Sequence, residues 1–303
     1  MSQLDETARQ RLLRQATVAS VTVAGTLVLL KLLAWLHTGS VALLGSLIDS
    51  LLDVAASAVN MLAVRQALVP ADREHRFGHG KAEPIAALGQ AAFITGSAAF
   101  LTFEAIAHLT QTRVVGGEAV GIAVMLLSIG ATLALVAYQR RVVQQTGSLA
   151  IAADSLHYTG DVLVNASVIV ALGLVQGLGW TLADPLFAFG IAAYVFWSAG
   201  RIARHALDLL MDREFPDADR QRIRAIALSH PEVRAVHDLR TRSTGTQAFI
   251  QFHLELDGAI TLAEAHRISD TVEAAVMTAF PGAEVMIHQD PAGLEEPRPA
   301  YVR

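Results

Sequence analysis

Two segments of the chain, 38–53 and 146–161, decide its fold: the first reads TGSVALLGSLIDSLLD and the second reads TGSLAIAADSLHYTGD. Both begin with Thr-Gly-Ser, both have alanine at the fifth place, and both end in aspartate. When the two are superposed, Asp49 matches His157 and Asp53 matches Asp161. An internal repeat explains this match, and chance similarity of two short segments is the alternative.

The two segments lie within a series of long apolar runs that occupies the first two thirds of the chain. Of 303 residues, 53% are hydrophobic and only 17% are charged, whereas soluble domains carry about 25% charged residues. A helix needs roughly 20 apolar residues to cross a bilayer. Six stretches qualify: Ala16–Leu36, Val41–Val64, Pro84–Leu109, Val120–Tyr138, Leu149–Val175 and Leu182–Ile202. The sequence therefore predicts an all-α transmembrane domain of six helices over residues 1–211.

Basic residues indicate how these helices are oriented, because cytoplasmic loops are enriched in Lys and Arg. They cluster before the first span, between spans two and three, between spans four and five, and after span six: Arg9, Arg11, Arg14; Arg65, Arg73, Arg76, Lys81; Arg140, Arg141; Arg201, Arg204. We therefore expect both termini in the cytoplasm. The two Thr-Gly-Ser segments then lie on opposite faces of the bilayer, and their acidic ends meet near its midplane, as in transporters built from inverted repeats.

From residue 212 onward the composition is that of a soluble domain. Its pattern is helix, strand, strand, helix, strand, with a Ser-Thr-Gly-Thr turn at 243–246 between the first two strands. Thr261 and Glu264 have the spacing of a capping box at the start of the second helix. The sequence predicts an α+β domain of ferredoxin-like (αββαβ) type over residues 212–290, followed by a flexible tail over 291–303.

Asp49, Asp53, His157 and Asp161 form the first candidate metal site. Residues at i and i+4 share a helix face, so each helix presents one pair. A charge at the bilayer centre costs at least about 2.5 kcal/mol and persists mainly where it has a partner or a function. Three carboxylates and one imidazole suit Zn²⁺, whereas an all-oxygen set would suit Mn²⁺ or Mg²⁺ better. Asp154, one turn before His157, is interpreted either as a relay for ions or protons or as a cap of the helix start.

The chemistry of such ligands predicts the energy source. Metal ligands must lose their protons to bind, so protonation ejects the metal and metal binding releases protons. Gly78-His79-Gly80-Lys81 lacks the frame of a phosphate-binding loop, so no nucleotide cofactor is expected. Antiport of a metal ion against H⁺ is the predicted mechanism.

Two further groups of side chains are candidate metal sites outside the membrane. Asp72, His75 and His79 lie in the loop between spans two and three, where the alternative is an ordinary solvated connection. Four histidines of the soluble domain lie beside or near an aspartate at predicted sheet edges, where each alone would be a surface residue: His237, His253, His266, His288 and Asp290. The chain has no cysteine, so no thiolate site or disulfide is expected. No basic cluster indicates nucleic acid.

At four motifs the sequence resembles the cation diffusion facilitator family, and its bacterial YiiP-type zinc and ferrous-iron efflux transporters in particular. The motifs are DSLLD at 49–53, FGHGKAE at 77–83, HYTGD at 157–161 and HDLRTR at 237–242, and the similarity covers nearly the whole chain. It implies a zinc transport site at Asp49, Asp53, His157 and Asp161, and a loop site at Asp72, His75 and His79. Arg73 departs from relatives that carry a second acid there.

The resemblance also implies the assembly. The cytoplasmic histidines and Asp290 would hold a two-ion zinc cluster that stabilises a homodimer, and Lys81 with Asp212 would form an interlock at the base of the membrane domain. Each protomer would alternate between inward-open and outward-open states in a bacterial cytoplasmic membrane. An imidazole in the transport site resembles zinc- and cadmium-selective members, with Fe²⁺ and Co²⁺ as the other candidates.

Two other classes of protein compete with an exporter. An intramembrane metallohydrolase would need an open coordination position and a general base, and the sequence contains no HExxH pattern. A metal sensor or scaffold could use the cytoplasmic histidines but would not need intramembrane acids. The sequence favours a transporter over an enzyme.

Overall fold

The computed structural model describes residues 6–39, 41–108, 119–180 and 182–293. The chain divides into two compact units, Met1–Leu207 and Asp208–Arg303. Most of the predicted tail, residues 294–303, lies outside the described residues. The boundary proposed from the sequence, at residue 212, falls just after the end of the sixth helix.

The first unit is built from six long helices. They are α1 (Glu6–Thr38), α2 (Val41–Ala67), α3 (Ala82–His108), α4 (Ala119–Thr146), α5 (Leu149–Leu178) and α6 (Ala183–Leu210). Among the described residues, five of these helices are long and apolar enough to cross a membrane: α1, α2, α3, α4 and α6. The remaining helix, α5, is 30 residues long and carries the polar residues of the candidate transport site. The chain is a multi-pass membrane protein.

Three of the helices run well past the apolar stretches that predict them. α1 begins ten residues before Ala16, α4 continues eight residues past Tyr138, and α6 continues eight residues past Ile202. The extensions contain the basic residues that mark the predicted cytoplasmic side. Hydropathy detects only the part of a helix in contact with lipid, whereas the hydrogen-bonded helix continues into water when no breaker intervenes.

The two Thr-Gly-Ser segments form equivalent joints between helices. Gly39 follows α1 and Gly147 follows α4, with φ of 66° and 69°. The Gly39 N–H donates to the Trp35 carbonyl at 2.7 Å, and the Gly147 N–H donates to the Val143 carbonyl at 2.8 Å. A left-handed residue that closes the last helical turn in this way is nearly always glycine. The shared glycine therefore has a structural cause, and α1–α2 and α4–α5 are two helical hairpins with the same joint.

The second unit is a three-stranded sheet with two helices. Its elements are α7 (Asp217–Leu228), β1 (Ala235–Ser243), β2 (Ala248–Leu256), α8 (Leu262–Ala279) and β3 (Ala283–Pro291). The strand order is β1-β2-β3, with β1 antiparallel and β3 parallel to β2. The Thr261 hydroxyl accepts the Glu264 N–H at 3.2 Å, so α8 has the predicted cap. This αββαβ arrangement confirms the fold class predicted from the sequence.

The alternation of β2 separates a core face from an open face. Ile250, Phe252 and Leu254 are buried and pack with Ile268 and Val272 of α8. Because side chains alternate across a strand, His253 and Glu255 project from the opposite face. The helices cover one side of the sheet, and the histidines of the strands lie on the other.

Candidate metal sites

The candidate transport site lies where α2 and α5 pack as antiparallel helices. Three contacts run along the pair: Asp53 with His157, Ser57 with Asp154, and Asn60 with the Ala150 carbonyl. As the residue number rises along α2 it falls along α5. The two Thr-Gly-Ser joints are therefore at opposite ends of this pair, and the acidic residues of both helices meet between them.

Asp53, His157 and Asp161 come together as one group of potential ligands. Nε2 of His157 lies 2.9 Å from Oδ1 of Asp53 and 3.7 Å from Oδ2 of Asp161. One ligand atom from each residue lies within 4.8 Å of the others. Ligand atoms around a tetrahedral zinc ion lie about 3.3 Å apart at the usual bond length of about 2.0 Å. Small side-chain adjustments would therefore let all three bind one ion.

The fourth predicted ligand, Asp49, is one turn before Asp53 on α2. It is exposed and does not belong to the group of three. Lys31 of α1 lies near the same turn, where its ammonium donates to the Ser50 hydroxyl at 2.7 Å and the Ser46 carbonyl at 3.2 Å. These two bonds join α1 to α2 beside the candidate transport site.

The imidazole of His157 is held by its neighbours. Its side chain is 7% exposed, and Phe93 of α3 packs against it edge-on with ring centroids 5.7 Å apart. The rings of His157 and Tyr158 are 5.4 Å apart. Contacts with Phe93 of α3 and with Tyr158, its neighbour on α5, thus fix the ring with Nε2 directed at Asp53.

One turn before His157 on α5, a buried polar network joins four helices. Asp154 of α5 is 1% exposed. Its carboxylate accepts hydrogen bonds from Gln139 of α4 at 2.7 Å and from Ser57 of α2 at 3.3 Å. Gln139 also donates to Ser20 of α1 at 2.9 Å, and Ser57 bonds Tyr158 at 2.8 Å. Asp154 thus bonds the side chains of other helices, while Ser148 caps the start of α5.

The loop residues Asp72, His75 and His79 form a second group of potential ligands. Nε2 of His79 lies 3.5 Å from Oδ2 of Asp72, Nδ1 of His75 lies 3.4 Å from Oδ1, and the two imidazoles are 4.4 Å apart. Gly78, with φ of 74°, turns the chain between them. Among the described residues, Nδ1 of His79 is buried without a hydrogen-bond partner. Arg73 is exposed.

The charge of Asp72 is stabilised by its own turn. Its carboxylate accepts the N–H groups of His75 at 2.6 Å and Glu74 at 2.9 Å. The His75 N–H bond, followed by the Glu74 N–H and the adjacent imidazoles, holds the pKa of Asp72 below 3.8 although partial desolvation opposes the shift. Asp72 is therefore ionised at neutral pH, as a metal ligand has to be.

In the second unit, three histidines form a row across the sheet. His237 of β1 pairs in register with His253 of β2, which pairs with His288 of β3. The ring centroids are 5.0 and 4.7 Å apart. A bulge follows His237, where Asp238 has φ of 47°. The register alone therefore brings together residues that are 51 positions apart in the chain.

Asp290 is the centre of this row. It is 6% exposed, and its Oδ2 lies 2.7 Å from Nδ1 of His253 and 3.4 Å from Nε2 of His237, while Oδ1 lies 3.1 Å from Nε2 of His288. Nδ1 of His237 lies 2.9 Å from Glu255 but is misaligned for a hydrogen bond. His237, His253 and Asp290 form the third group of potential ligands.

His266, the remaining predicted member, is not part of this row. It lies on α8, 71% exposed, with Nδ1 3.6 Å from Asp270. α8 covers the buried face of the sheet, so the sheet separates His266 from the other three histidines of the same chain. Asp212 forms an ion pair with Arg242 at 3.6 Å in its own unit, and its interlock with Lys81 stays a prediction.

Several residues that build these sites escape sequence reasoning. Gln139, Ser57 and Tyr158 complete the Asp154 network, and Glu255 adjoins His237. Glu83 was noted only as part of a motif, yet its carboxylate bonds the start of α5. Each of these contacts crosses between elements, and no local spacing encodes it. The polarity of Asp154 within an apolar run is the signal that could have indicated a buried network.

Six long helices around an intramembrane group of carboxylates and an imidazole define a membrane transporter of metal cations. Residues 17–211 match the family model described as the cation efflux transmembrane domain, and residues 215–292 match the cation efflux protein cytoplasmic domain. The chain belongs to the cation efflux, or cation diffusion facilitator, family, and it is a transporter rather than an enzyme.

Curated relatives agree with this assignment. The chain is 49% identical to the cation-efflux pump FieF of Klebsiella pneumoniae over 94% of each chain. It is 48% identical to FieF of Serratia proteamaculans, again over 94% of each. The structure of CzrB in its zinc form has 38% identity over 28% of this chain and 99% of that chain, with a TM-score of 0.27.

Proposed function

We propose that this cation efflux protein is an antiporter that exports divalent transition-metal cations from the cytoplasm in exchange for protons. The observation that carries the proposal is the group formed by Asp53, His157 and Asp161 between the antiparallel helices α2 and α5. Asp49, one turn away on α2, is the proposed fourth ligand. Helices related by an inverted repeat can expose such a site alternately to either side of the membrane.

The contacts within the group support proton coupling. Nε2 of His157 is 2.9 Å from the Asp53 carboxylate, and a hydrogen bond between them holds a proton at this contact. A metal ion that binds both residues must displace that proton. Metal and proton therefore compete for the same atoms, which is the requirement for exchange.

The ligand types favour zinc as the substrate. One imidazole and three carboxylates form a mixed N/O set that suits Zn²⁺ in tetrahedral geometry. Cd²⁺ and Fe²⁺ are the next candidates because affinity alone separates neighbouring divalent metals poorly. The names of the relatives describe them as cation-efflux pumps and specify no metal.

The second unit is proposed to bind zinc at a homodimer interface. His237, His253, His288 and Asp290 lie on the open face of the sheet, and His266 lies on the opposite side of the domain. If His266 belongs to the same cluster, as the family resemblance implies, a partner chain must supply it. We place the protein in a bacterial cytoplasmic membrane with both termini inside, from its basic residues and its bacterial relatives.

The test is Zn²⁺ uptake by proteoliposomes under an imposed pH gradient. Wild-type protein should take up Zn²⁺ only when the gradient is present, and Asp49→Ala and His157→Ala should abolish the uptake. Asp219→Ala, at a partly exposed acid of α7 outside the three groups of potential ligands, is the matched control. Absence of uptake for zinc, cadmium, iron and manganese alike would reject the proposal, and gradient-independent flux would reject antiport.

A further inference from the structure

Glu83, at the start of α3, is a buried acid bonded to a different helix. It is 2% exposed, and its Oε1 accepts hydrogen bonds from the Ser148 hydroxyl at 2.6 Å, the Leu149 N–H at 2.8 Å and the Ala150 N–H at 3.4 Å. α5 begins at Leu149. The first turn of the helix that carries His157 and Asp161 is therefore held by a residue 65 positions earlier in the chain.

This carboxylate is not needed to form α5. Ser148 already caps the helix locally, since its hydroxyl accepts the Ile151 N–H at 3.2 Å. A second, charged cap from another helix adds no new turn to α5. Its effect is to fix where α5 starts relative to α3.

A cation holds the other side of the same joint. Arg9 of α1 donates to the carbonyl of Thr146, the last residue of α4, at 3.2 and 3.4 Å. An arginine at a helix C-terminus and a glutamate at a helix N-terminus both complement the helix dipoles. The joint at 146–148 is thus anchored from two sides, by α1 and by α3.

Glu83 is also joined to the candidate loop site by backbone hydrogen bonds. The Ala82 N–H donates to the His79 carbonyl at 2.9 Å, and the Glu83 N–H donates to the Gly80 carbonyl at 3.2 Å. His79 and Glu83 consequently belong to one tight turn. At the other end of the connection, His157 lies eight residues into α5, about 12 Å along its axis.

We infer that Glu83 is a positioning residue that couples the loop site Asp72–His75–His79 to the transport site by fixing the start of α5. The inference rests on the proposed function, because it assumes that each of the two groups binds the transported metal. A cation held by His79 orders the turn that carries Glu83, and Glu83 then sets the axial position of His157 and Asp161 opposite Asp53. Among the described residues, Oε2 of Glu83 is buried without a hydrogen-bond partner. Burial of a carboxylate oxygen without a hydrogen bond costs free energy, and such a group is usually tolerated where it has a function.

The first experiment is a double-mutant cycle on full-length protein in proteoliposomes. Initial rates of Zn²⁺ uptake are measured against Zn²⁺ concentration for Glu83→Ala, Glu83→Gln, His79→Ala and Glu83→Ala/His79→Ala. Glu83→Ala should raise the half-saturating concentration about fivefold, the scale of a lost helix cap. Glu83→Gln should have a smaller effect because its amide oxygen can still accept from Ser148 and Leu149. Asp219→Ala, at an acid of α7 outside the three groups of potential ligands, should behave as wild type.

The cycle distinguishes coupling between Glu83 and His79 from independent loss of activity in each variant. If Glu83 transmits the state of the loop, His79→Ala should have no further effect once Glu83 is removed. A wild-type half-saturating concentration in Glu83→Ala, or effects of the two substitutions that add on a logarithmic scale, would overturn the inference.

The second experiment does not depend on transport. The chain contains no cysteine, so Ala86→Cys on α3 and Ala152→Cys on α5 can carry one spin-label pair per protomer, and labelled protein diluted into unlabelled protein isolates the distance within one chain. The distance distribution should change when Zn²⁺ is removed with a chelator, and Glu83→Ala should abolish that response. If the wild-type protein moves no metal but the distance still responds through Glu83, the proposed transport fails and the coupling survives. A response that is the same with and without Glu83 would overturn the inference.

Discussion

Nε2 of His157 on α5 lies 2.9 Å from Oδ1 of Asp53 on α2, across a pair of antiparallel helices that each follow a Thr-Gly-Ser sequence. This contact joins the two halves of the inverted repeat at the residues with the highest cost of burial in a membrane. Removal of either partner should therefore affect both metal binding and proton exchange.

Asp53→Asn should reduce zinc transport most clearly. The amide keeps the shape of aspartate but lacks its charge, so the site loses an anionic ligand and the proton acceptor of His157. Loss of outer-shell partners alone costs about 10–100-fold in metal affinity, so loss of a direct ligand should exceed about tenfold. Zn²⁺ affinity and gradient-driven uptake are the measurements, with Asp219→Asn as the control. Unchanged uptake in Asp53→Asn would exclude Asp53 as a ligand.

His157→Asp should change which metal is transported. The substitution converts a mixed N/O set into an all-oxygen set, which favours Mn²⁺ over Zn²⁺. Uptake of Mn²⁺ and Zn²⁺ in competition should show the ratio shifting toward manganese by at least about tenfold, or about 1.4 kcal/mol. If the variant transports neither metal, a second variant, His157→Asn, tests whether a single neutral oxygen ligand restores zinc. Retention of the wild-type ratio in either variant would contradict the assignment of His157 as the selecting ligand.

The sequence predicts the elements of the fold better than their extent. Long apolar runs identify the membrane helices, and alternating side chains such as Ile250 and Phe252 identify β2, because both patterns are local. The ends of α1, α4 and α6 were predicted eight to ten residues too short. Hydropathy does not register helical turns that continue into water.

The candidate sites also contain residues that the sequence reveals and contacts that only the packed structure reveals. Asp53, His157 and Asp161 are recognisable because acids and imidazole stand out in apolar helices, and the structure brings these three together. The role of Asp154 as a bonded member of a four-helix network depends on Gln139 and Ser57, which approach it only in the packed bundle. The row of histidines depends on strand register, which no spacing in the chain reveals.

Asp154→Ala should destabilise the membrane unit. Removal of the carboxylate leaves Gln139 and Ser57 with buried donors that lose their acceptor, at a cost of about 1–3 kcal/mol for an unsatisfied buried group. Thermal unfolding of the purified protein in detergent should show a lower midpoint for Asp154→Ala, and a smaller change for Asp154→Asn, whose amide can still accept one hydrogen bond. An Asp154→Ala protein as stable as wild type would exclude a structural role for the network and favour the relay interpretation of Asp154.

His266→Ala should weaken zinc-linked dimerisation without affecting the fold of the second unit. His266 is exposed on α8, so its removal disturbs no core packing, whereas Asp290→Ala removes the buried acid that contacts three histidines. Sedimentation of full-length protein in detergent, with and without a chelator, measures the dimer. We expect the zinc-dependent fraction of dimer to fall in both variants and not in His230→Ala, at a histidine outside the row. A fully zinc-dependent dimer in His266→Ala would show that the partner does not supply this ligand.

Asp72 should keep its charge at the loop site in mild acid. The N–H groups of His75 and Glu74 hold its pKa below 3.8, so the carboxylate is ionised throughout the physiological range, and its contribution to the turn is lost only as the pH falls through the lowered pKa. Between pH 7 and pH 6 the carboxylate therefore stays charged, and its share of metal binding at the loop should not change. Metal titrations of full-length protein in an Asp49→Ala/Asp290→Ala background, which weakens the other two sites, measure this share. Asp72→Asn should weaken binding by a similar factor at pH 6 and pH 7. An effect of Asp72→Asn that disappears at pH 6 would mean that Asp72 itself is protonated there, which would contradict its lowered pKa.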